Sequence, residues 1–174
     1  MPFLFFLLGA TFSLSPTTGT YEVSEEFNID LKVKAEDSVT SVRAYLTFDP
    51  SLLRVIEIQS NKDAFPYWWE QESLKGIVKL QASAPAPGFQ GEETIANIKF
   101  EVVGAGSALL AYDSSSLALN AQDENILDIP SSGQARFTLS GQALSFSSFP
   151  VIGIGLLIFF GLIAGALYFR KRRK

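Results

Sequence analysis

The chain has 174 residues, a formal net charge of −4, and neither cysteine nor histidine. This composition allows one domain with attachments, and it excludes disulfides, thiolate or imidazole metal sites, and catalytic pairs built from Cys and His. All 18 acidic residues but only nine of the 14 basic residues precede Pro150. The part of the chain before Pro150 therefore carries a formal charge of −9. Such an acidic domain disfavours nucleic acid as a partner, because phosphates bind basic surfaces.

The N-terminal residues 2–10 (PFLFFLLGA) are uniformly apolar. They are typical of the hydrophobic region of a signal peptide, with Gly9 and Ala10 as a small-residue cleavage site. We therefore predict a signal segment over residues 1–10. A basic region before it is missing, which a truncated start would explain, and an apolar first strand is the alternative.

Apolar and polar residues alternate with period two through most of residues 11–139, as expected for half-buried strands. Turn residues such as Asp49-Pro50-Ser51 separate the alternating runs. We predict an all-β domain, an antiparallel β-sandwich of the jelly-roll kind with about eight to ten strands. The residues expected to face inward are Phe27, Ile29, Leu31, Val33, Val42, Ala44, Leu46, Phe48, Val78, Leu80, Ala82, Ala96, Ile98, Phe100, Val102, Ala135, Phe137 and Leu139.

Several sequence motifs of this chain follow one another in the order that is found in one family of protein domains. Residues 46–56 (LTFDPSLLRVI) are similar to the L-x-F-D-P-x-x-L-x-V segment of cohesin-type domains. They follow an opening SLSPTTGTYEV and precede GIVKLQA, GFQG and IANIKF, which look like that family's first strands and later core. Residues 11–139 therefore resemble a cohesin-type domain of the carbohydrate-binding-module-like sandwich group. The resemblance implies a cohesin-like sandwich and a protein partner, dockerin-like in kind.

One departure concerns the turn after the Tyr-x-Val strand, where Ser24-Glu25 stand in place of the family's frequent Gly-Asp. A differently formed turn is the expected consequence. In cohesin-like folds one flat sheet face binds the partner, and Arg43, Tyr45 and Thr47 are predicted to point outward from one strand. The resemblance thus implies a partner face at these three residues, with an ordinary solvated strand face as the alternative.

Both tryptophans of the chain lie together in residues 65–69 (FPYWW). Exposed aromatic rings stack on sugars and anchor protein interfaces, so Tyr67, Trp68 and Trp69 are candidate ligand-binding residues. Successive side chains of an extended segment point to opposite sides, so Trp68 and Trp69 cannot both face the core. The alternative is that the rings pack over the core and bind nothing.

The acidic side chains give little sign of metal binding or catalysis. Asp49 is expected to cap the turn that Pro50 begins, by accepting backbone N–H groups that follow it. Residues 123–128 (DENILD) offer oxygens for Ca²⁺, but they lack the glycine and the ligand order of an EF-hand, so a solvated loop is the better interpretation. We expect no cofactor, no metal site, no catalytic residues and no enzymatic activity.

The C-terminal part of the chain is typical of a membrane anchor. A ten-residue stalk, residues 140–149, precedes an uncharged run that begins at Val151 and ends at Phe169, and residues 170–174 (RKRRK) are all basic. We predict a transmembrane helix over residues 150–169, with the basic tail cytoplasmic and the acidic domain extracytoplasmic. Gly161 and Gly165 form a GxxxG pair that could mediate a helix dimer.

Three functions are compatible with these features. The first is a membrane-anchored module that docks a protein partner, dockerin-like in kind, at the cell surface. The second is a carbohydrate-binding module linked to polysaccharide recognition or breakdown, using residues 67–69. The third is a structural surface or assembly domain without a dedicated ligand.

Overall fold

The computed structural model describes residues 9–141, and the structural statements below refer to that part of the chain. It contains ten strands and no helix, so none of these residues belongs to a helix capable of crossing a bilayer. The predicted transmembrane helix, Gly161, Gly165 and most of the predicted signal segment lie outside the described residues. The strands are β1 (Ala10–Ser15), β2 (Thr18–Glu22), β3 (Glu26–Thr47), β4 (Leu53–Ser60), β5 (Tyr67–Leu74), β6 (Ile77–Ser83), β7 (Phe89–Val102), β8 (Gly106–Tyr112), β9 (Leu117–Asn120) and β10 (Ala135–Ser140).

The strands form two layers that share the long strand β3. Its first half, up to Ala35, pairs with β1 and β7, and β4 lies beyond β7; we call this layer the back sheet. Its second half pairs with β6, which pairs in turn with β5. On the other side of this half lie β9 and β8, followed by β10 and β2; we call this layer the front sheet. All pairs are antiparallel except β10 with β2.

Strand β3 crosses from one layer to the other at an irregular point. Its pairing with β7 shifts register between Leu31 and Lys32, continues to Ala35 and resumes only at Val39. The residues between are Glu36, Asp37 and Ser38, which are polar and suit a bend at the surface better than a ladder. The sequence pattern predicted two separate strands here, one through Val33 and one from Val42, whereas the structure joins them into one strand of 22 residues.

The core lies between the two sheets and is filled by the predicted inward-facing residues, nearly all of which are buried. Phe48 is the exception, since β3 ends at Thr47 and this ring lies half-buried against Phe100 at the end of the sandwich. An aromatic cluster ties the layers together. Phe27 of the back sheet stacks on Tyr21 of β2 with ring centroids 4.1 Å apart, and it also contacts Phe137 of β10 at 5.1 Å. The prediction of an all-β sandwich is confirmed.

The folded part extends one residue beyond the predicted bounds of 11–139 at each end. Ala10, which the sequence pattern places in the signal segment, is the first residue of β1 and is fully buried. Its N–H donates to the carbonyl of Ile126 at 2.8 Å, so both its methyl group and its backbone belong to the domain. At the other end β10 continues to Ser140, where the stalk was predicted to begin.

Candidate functional site

The outer side of the front sheet presents the residues that were predicted as a partner face. Val42, Ala44 and Leu46 are completely buried, and the strand alternation therefore turns Arg43, Tyr45 and Thr47 outward, where they are half-buried. The Thr47 hydroxyl donates to the carbonyl of Ala111 at 2.9 Å, so this side chain mainly joins β3 to β8. Arg43 and Tyr45 are the members of the predicted set that remain available to a partner.

The aromatic segment forms β5, the edge strand of the front sheet, although its sequence has no clear alternation. The pairing with β6 shifts between Trp68 and Glu70, which makes Trp69 the extra residue of a β-bulge. Trp68 lies opposite Ala82 and packs against the core, and its indole Nε1 is buried without a hydrogen-bond partner. Trp69 is 72% exposed, and its Nε1 donates to the Ser83 hydroxyl at 3.3 Å.

The bulge brings two sets of predicted residues to one surface. Tyr67 lies opposite Ser83 and is 56% exposed, so Tyr67 and Trp69 both lie on the outer side, close to β6. Trp68 does not join them, since its partly buried ring packs against the core. We call the combined surface the front face; its residues are Ser41, Arg43, Tyr45, Thr47, Tyr67, Trp69, Glu70, Glu72, Lys79, Gln81, Ser83, Leu117 and Leu119.

A polar network occupies the centre of the front face. The Tyr45 hydroxyl donates to a Glu70 carboxylate oxygen at 2.5 Å, and the Lys79 ammonium lies 3.4 Å from Glu70 and 3.6 Å from Glu72. Tyr45 and Lys79 each interact with Glu70, and this interaction raises the pKa of both groups. The network therefore holds the phenol neutral and the lysine charged. Sequence reasoning missed Glu70 and Glu72 because it placed no strand there.

Arg43 stands outside this network. It lies between Gln81 of β6 and Leu117 of β9, and its guanidinium carbon is 5.9 Å from the centre of the Tyr45 ring. No carboxylate of the described residues forms an ion pair with it, and its Nε is buried without a hydrogen-bond partner. The front face thus carries one cation that forms no ion pair with the other residues of the face.

Asp49 has the structural role that was predicted for it. Its carboxylate accepts hydrogen bonds from the backbone N–H of Ser51 at 2.8 Å and from the Ser51 hydroxyl at 2.6 Å. These two bonds lower the pKa of Asp49. Asp113 makes the same pair of contacts to Ser115, and its pKa is lowered for the same reason. Both acids thus stabilise the turns in which they lie.

The acidic loop considered for Ca²⁺ is organised by its own side chains. The Asn120 amide oxygen accepts the backbone N–H groups of Gln122 and Glu124, at 2.9 and 3.0 Å. Asp128 accepts the hydroxyl of Ser131 at 2.6 Å. Across residues 9–141 no three acidic side chains come close enough together to hold a metal ion.

No protein-family model matches this chain, and no curated protein is similar to it in sequence. Its structure is similar to solved cohesin modules. The solution structure of CaCohA2 from Clostridium acetobutylicum is 17% identical, with a TM-score of 0.63 over 78% of this chain and 94% of that one. The non-cellulosomal cohesin from the hyperthermophilic archaeon Archaeoglobus fulgidus is 14% identical, with a TM-score of 0.62 over 77% and 93%.

A third similar structure comes from a complex. The Coh-OlpC–Doc435 structure from Clostridium thermocellum is described as a novel type I cohesin–dockerin complex. It is 9% identical, with a TM-score of 0.64 over 77% of this chain and 95% of that one. At such identities the likeness concerns the fold, and the resemblance inferred from the motif order is confirmed at that level. The described part of this chain has a cohesin-type fold.

Proposed function

We propose that this chain is a membrane-anchored, extracytoplasmic docking module that binds a protein partner through its front face. The observation that carries the proposal is the composition of that face within a cohesin-type fold. It combines the exposed rings of Tyr67 and Trp69 with Arg43, a cation that lacks an ion pair among residues 9–141. Aromatic and arginine side chains are the residues that most often dominate protein interfaces.

Known complexes of similar structures support a protein as the partner. Several of the similar structures are complexes of a cohesin with a dockerin, among them CaCohA2 with a variant of CaDoc0917 and Coh-OlpC with Doc435. A dockerin-like protein is therefore the partner class that we propose for this chain. The role is a binding role, and it requires no catalytic group.

The membrane anchor and the location are proposed from the sequence. Residues 151–169 carry no charge and are followed at once by five basic residues. A helix of that length spans a bilayer, and basic residues beside a span favour the cytoplasmic side. The acidic domain then lies outside the cell membrane, where a secreted or surface protein can reach it.

The test uses the full chain in detergent, immobilised through its C-terminus and exposed to the secreted and membrane fractions of its source organism. One protein should be retained in stoichiometric amount. Replacing Trp69 by alanine should weaken retention by roughly 30-fold, the usual effect of losing an interface hot spot. Lys34→Glu is the matched control on the back sheet and should leave retention unchanged. Equal retention by wild type and Trp69→Ala would exclude the front face as the docking site.

A carbohydrate-binding function is the second candidate, and the adjacent exposure of Tyr67 and Trp69 favours it. Two aromatic rings on one flat surface can stack on successive sugar units. The same immobilised chain is therefore tested on insoluble polysaccharides. Retention that Trp69→Ala abolishes, with no protein captured, would replace the docking proposal by this one. Retention of neither class would leave the structural role.

A further inference from the structure

The basic residues of the described chain differ sharply in how they are neutralised. Four of the nine form ion pairs with carboxylates: Lys32, Arg54, Lys79 and Lys99. Four others have no such pair but are exposed, so water solvates them: Lys34, Lys62, Lys75 and Arg136. Arg43 alone among the nine is both half-buried and without an ion pair.

This arrangement should lower the stability of the isolated domain. A partly desolvated guanidinium loses hydration that only a counter-charge or hydrogen bonds can replace. The Nε of Arg43 has neither, because its cross-strand neighbours are Gln81 and Leu117 and its Nε donates to neither of them. Contact with the Tyr45 ring at 5.9 Å offsets only a small part of the loss.

The acids of the front face are not available to compensate Arg43. Glu70 accepts the Tyr45 hydroxyl and pairs with Lys79, and Glu72 pairs with the same lysine. Glu70, Glu72 and Lys79 together carry −1 and Arg43 carries +1, so the face is formally neutral while Arg43 remains a separate positive charge without an ion pair. An arriving surface therefore meets a localised positive charge beside Leu117 and the ring of Tyr45.

We propose that the protein partner places a carboxylate side chain, Asp or Glu, against the Arg43 guanidinium, with apolar side chains beside it on Leu117 and Trp69. This inference rests on the docking function proposed above and names the chemistry of the partner. A carboxylate matches the planar fork of a guanidinium and binds two of its N–H groups at once. The hydroxyl groups of Ser41 and Ser83, whose oxygens are 2.8 Å apart, lie between Arg43 and Trp69 on this face.

The test selects for partner chemistry directly, so it needs no known partner. A displayed library of helical hairpins with randomised surface positions is selected against the full chain in detergent, in parallel as wild type, Arg43→Gln and Arg43→Glu. Only binders whose affinity falls on Trp69→Ala are counted, since these occupy the front face. Those selected on wild type should be several-fold enriched in Asp and Glu, Arg43→Gln should remove the enrichment, and Arg43→Glu should replace it by Lys and Arg.

A double-mutant cycle then measures the contact itself. In one front-face binder, exchanging the enriched Asp for Asn should weaken binding to wild type by roughly 10- to 100-fold, the range for a hydrogen-bonded charge pair. The same exchange should have little effect on binding to Arg43→Gln. Lys34→Glu, which changes the charge of the back sheet, should leave both the enrichment and the exchange effect as in wild type.

The possible failures are distinguishable. Front-face binders without acidic enrichment, or a cycle without coupling, would overturn the carboxylate while the docking face stood. A library that yields no binder sensitive to Trp69→Ala would overturn the docking face and this inference with it. Polygalacturonate is tested in parallel on the same immobilised chain. If it is retained by wild type and not by Arg43→Gln, and no protein binds at the face, the ligand of Arg43 is an anionic polysaccharide.

Discussion

The back and front sheets follow the same alternating pattern, yet their outer faces are chemically different. On the back sheet, charged side chains neutralise one another across strands, as in Lys32–Glu92 at 3.2 Å and Lys99–Glu26 at 3.5 Å. On the front sheet, two aromatic rings are exposed and a half-buried arginine lacks a counter-charge. The back face is an ordinary solvated surface, whereas the front face has features that water alone does not explain.

The comparison shows which property of a strand sequence carries functional information. Period two determines which residues enter the core, and both sheets satisfy it equally well. The functional difference lies in the kind of residue at the outward positions. Exposed ion pairs contribute little to stability and keep a surface soluble, while exposed aromatic rings and unpaired, partly buried charges are retained at a cost. If binding is the reason that these residues are retained, replacing them should affect binding more than stability.

The largest effect should separate the two tryptophans of β5. Trp68 packs on the core, so Trp68→Ala should lower the free energy of unfolding by about 3 kcal/mol through the lost contacts and the cavity. Trp69 is 72% exposed, so Trp69→Ala should change it by no more than about 0.5 kcal/mol. Urea unfolding measures both. Similar losses would mean that Trp69 serves the fold and would remove it from the front face as a binding residue.

Tyr112 should make the contact between the two layers sensitive to alkali. Its hydroxyl donates to the carbonyl of Ser13 at 3.0 Å, and burial raises its pKa above the ordinary value of 10.0. The unfolded chain therefore releases this proton first, so the stability is full below pH 10 and falls as the pH rises further, by about 1.4 kcal/mol per unit. Urea unfolding between pH 8 and 11 should show a smaller decline in Tyr112→Phe.

The matched control for this decline lies on the front face. Tyr45 also has a raised pKa, through its hydrogen bond to Glu70, but its side chain is partly solvated. Tyr45→Phe should therefore alter the alkaline decline less than Tyr112→Phe does. If the two variants behave alike, the alkaline sensitivity arises at the surface and the buried phenol is not its main source.

The sequence predicts the layers well because period two links position directly to face. Residues of β6, β7 and β10 enter the core as their alternation requires. β5 was missed because the bulge at Trp69 places two successive side chains, Trp69 and Glu70, outward and so interrupts the pattern. The continuity of β3 was missed for a related reason, since residues 36–38 are polar and cannot be distinguished from a loop without their tertiary setting.

The site could be predicted in parts but not assembled. Arg43 and Tyr45 point outward because their neighbours are apolar, and this much follows from the sequence. The sequence also requires Trp68 and Trp69 to differ in burial, but which ring is buried depends on the register between β5 and β6. That register is a long-range property, so only the structure shows that Tyr67 and Trp69 share a face with Arg43.

A smaller effect of opposite sign is expected at Arg43. Arg43→Met keeps the aliphatic contacts of the side chain and removes a half-buried charge that has no ion pair, so it should raise the free energy of unfolding by about 1 kcal/mol. The same variant should lose binding at the front face. Thermal and urea unfolding measure the first effect and retention measures the second. If Arg43→Met is less stable than wild type, the arginine supports the fold. Its lack of an ion pair would then no longer indicate a role in binding.

The smallest effect should come from the back face. The Lys99 ammonium lies 3.5 Å from Glu26, with side chains 33% and 52% exposed, so Lys99→Met should lower the free energy of unfolding by no more than about 0.5 kcal/mol. Salt screens such exposed pairs, and in 1 M NaCl the difference from wild type should vanish. A loss above about 1 kcal/mol that persists in salt would mean that the back-face pairs act as a stabilising network. The two faces would then differ because the back face stabilises the fold through its ion pairs. The missing counter-charge at Arg43 would no longer indicate binding.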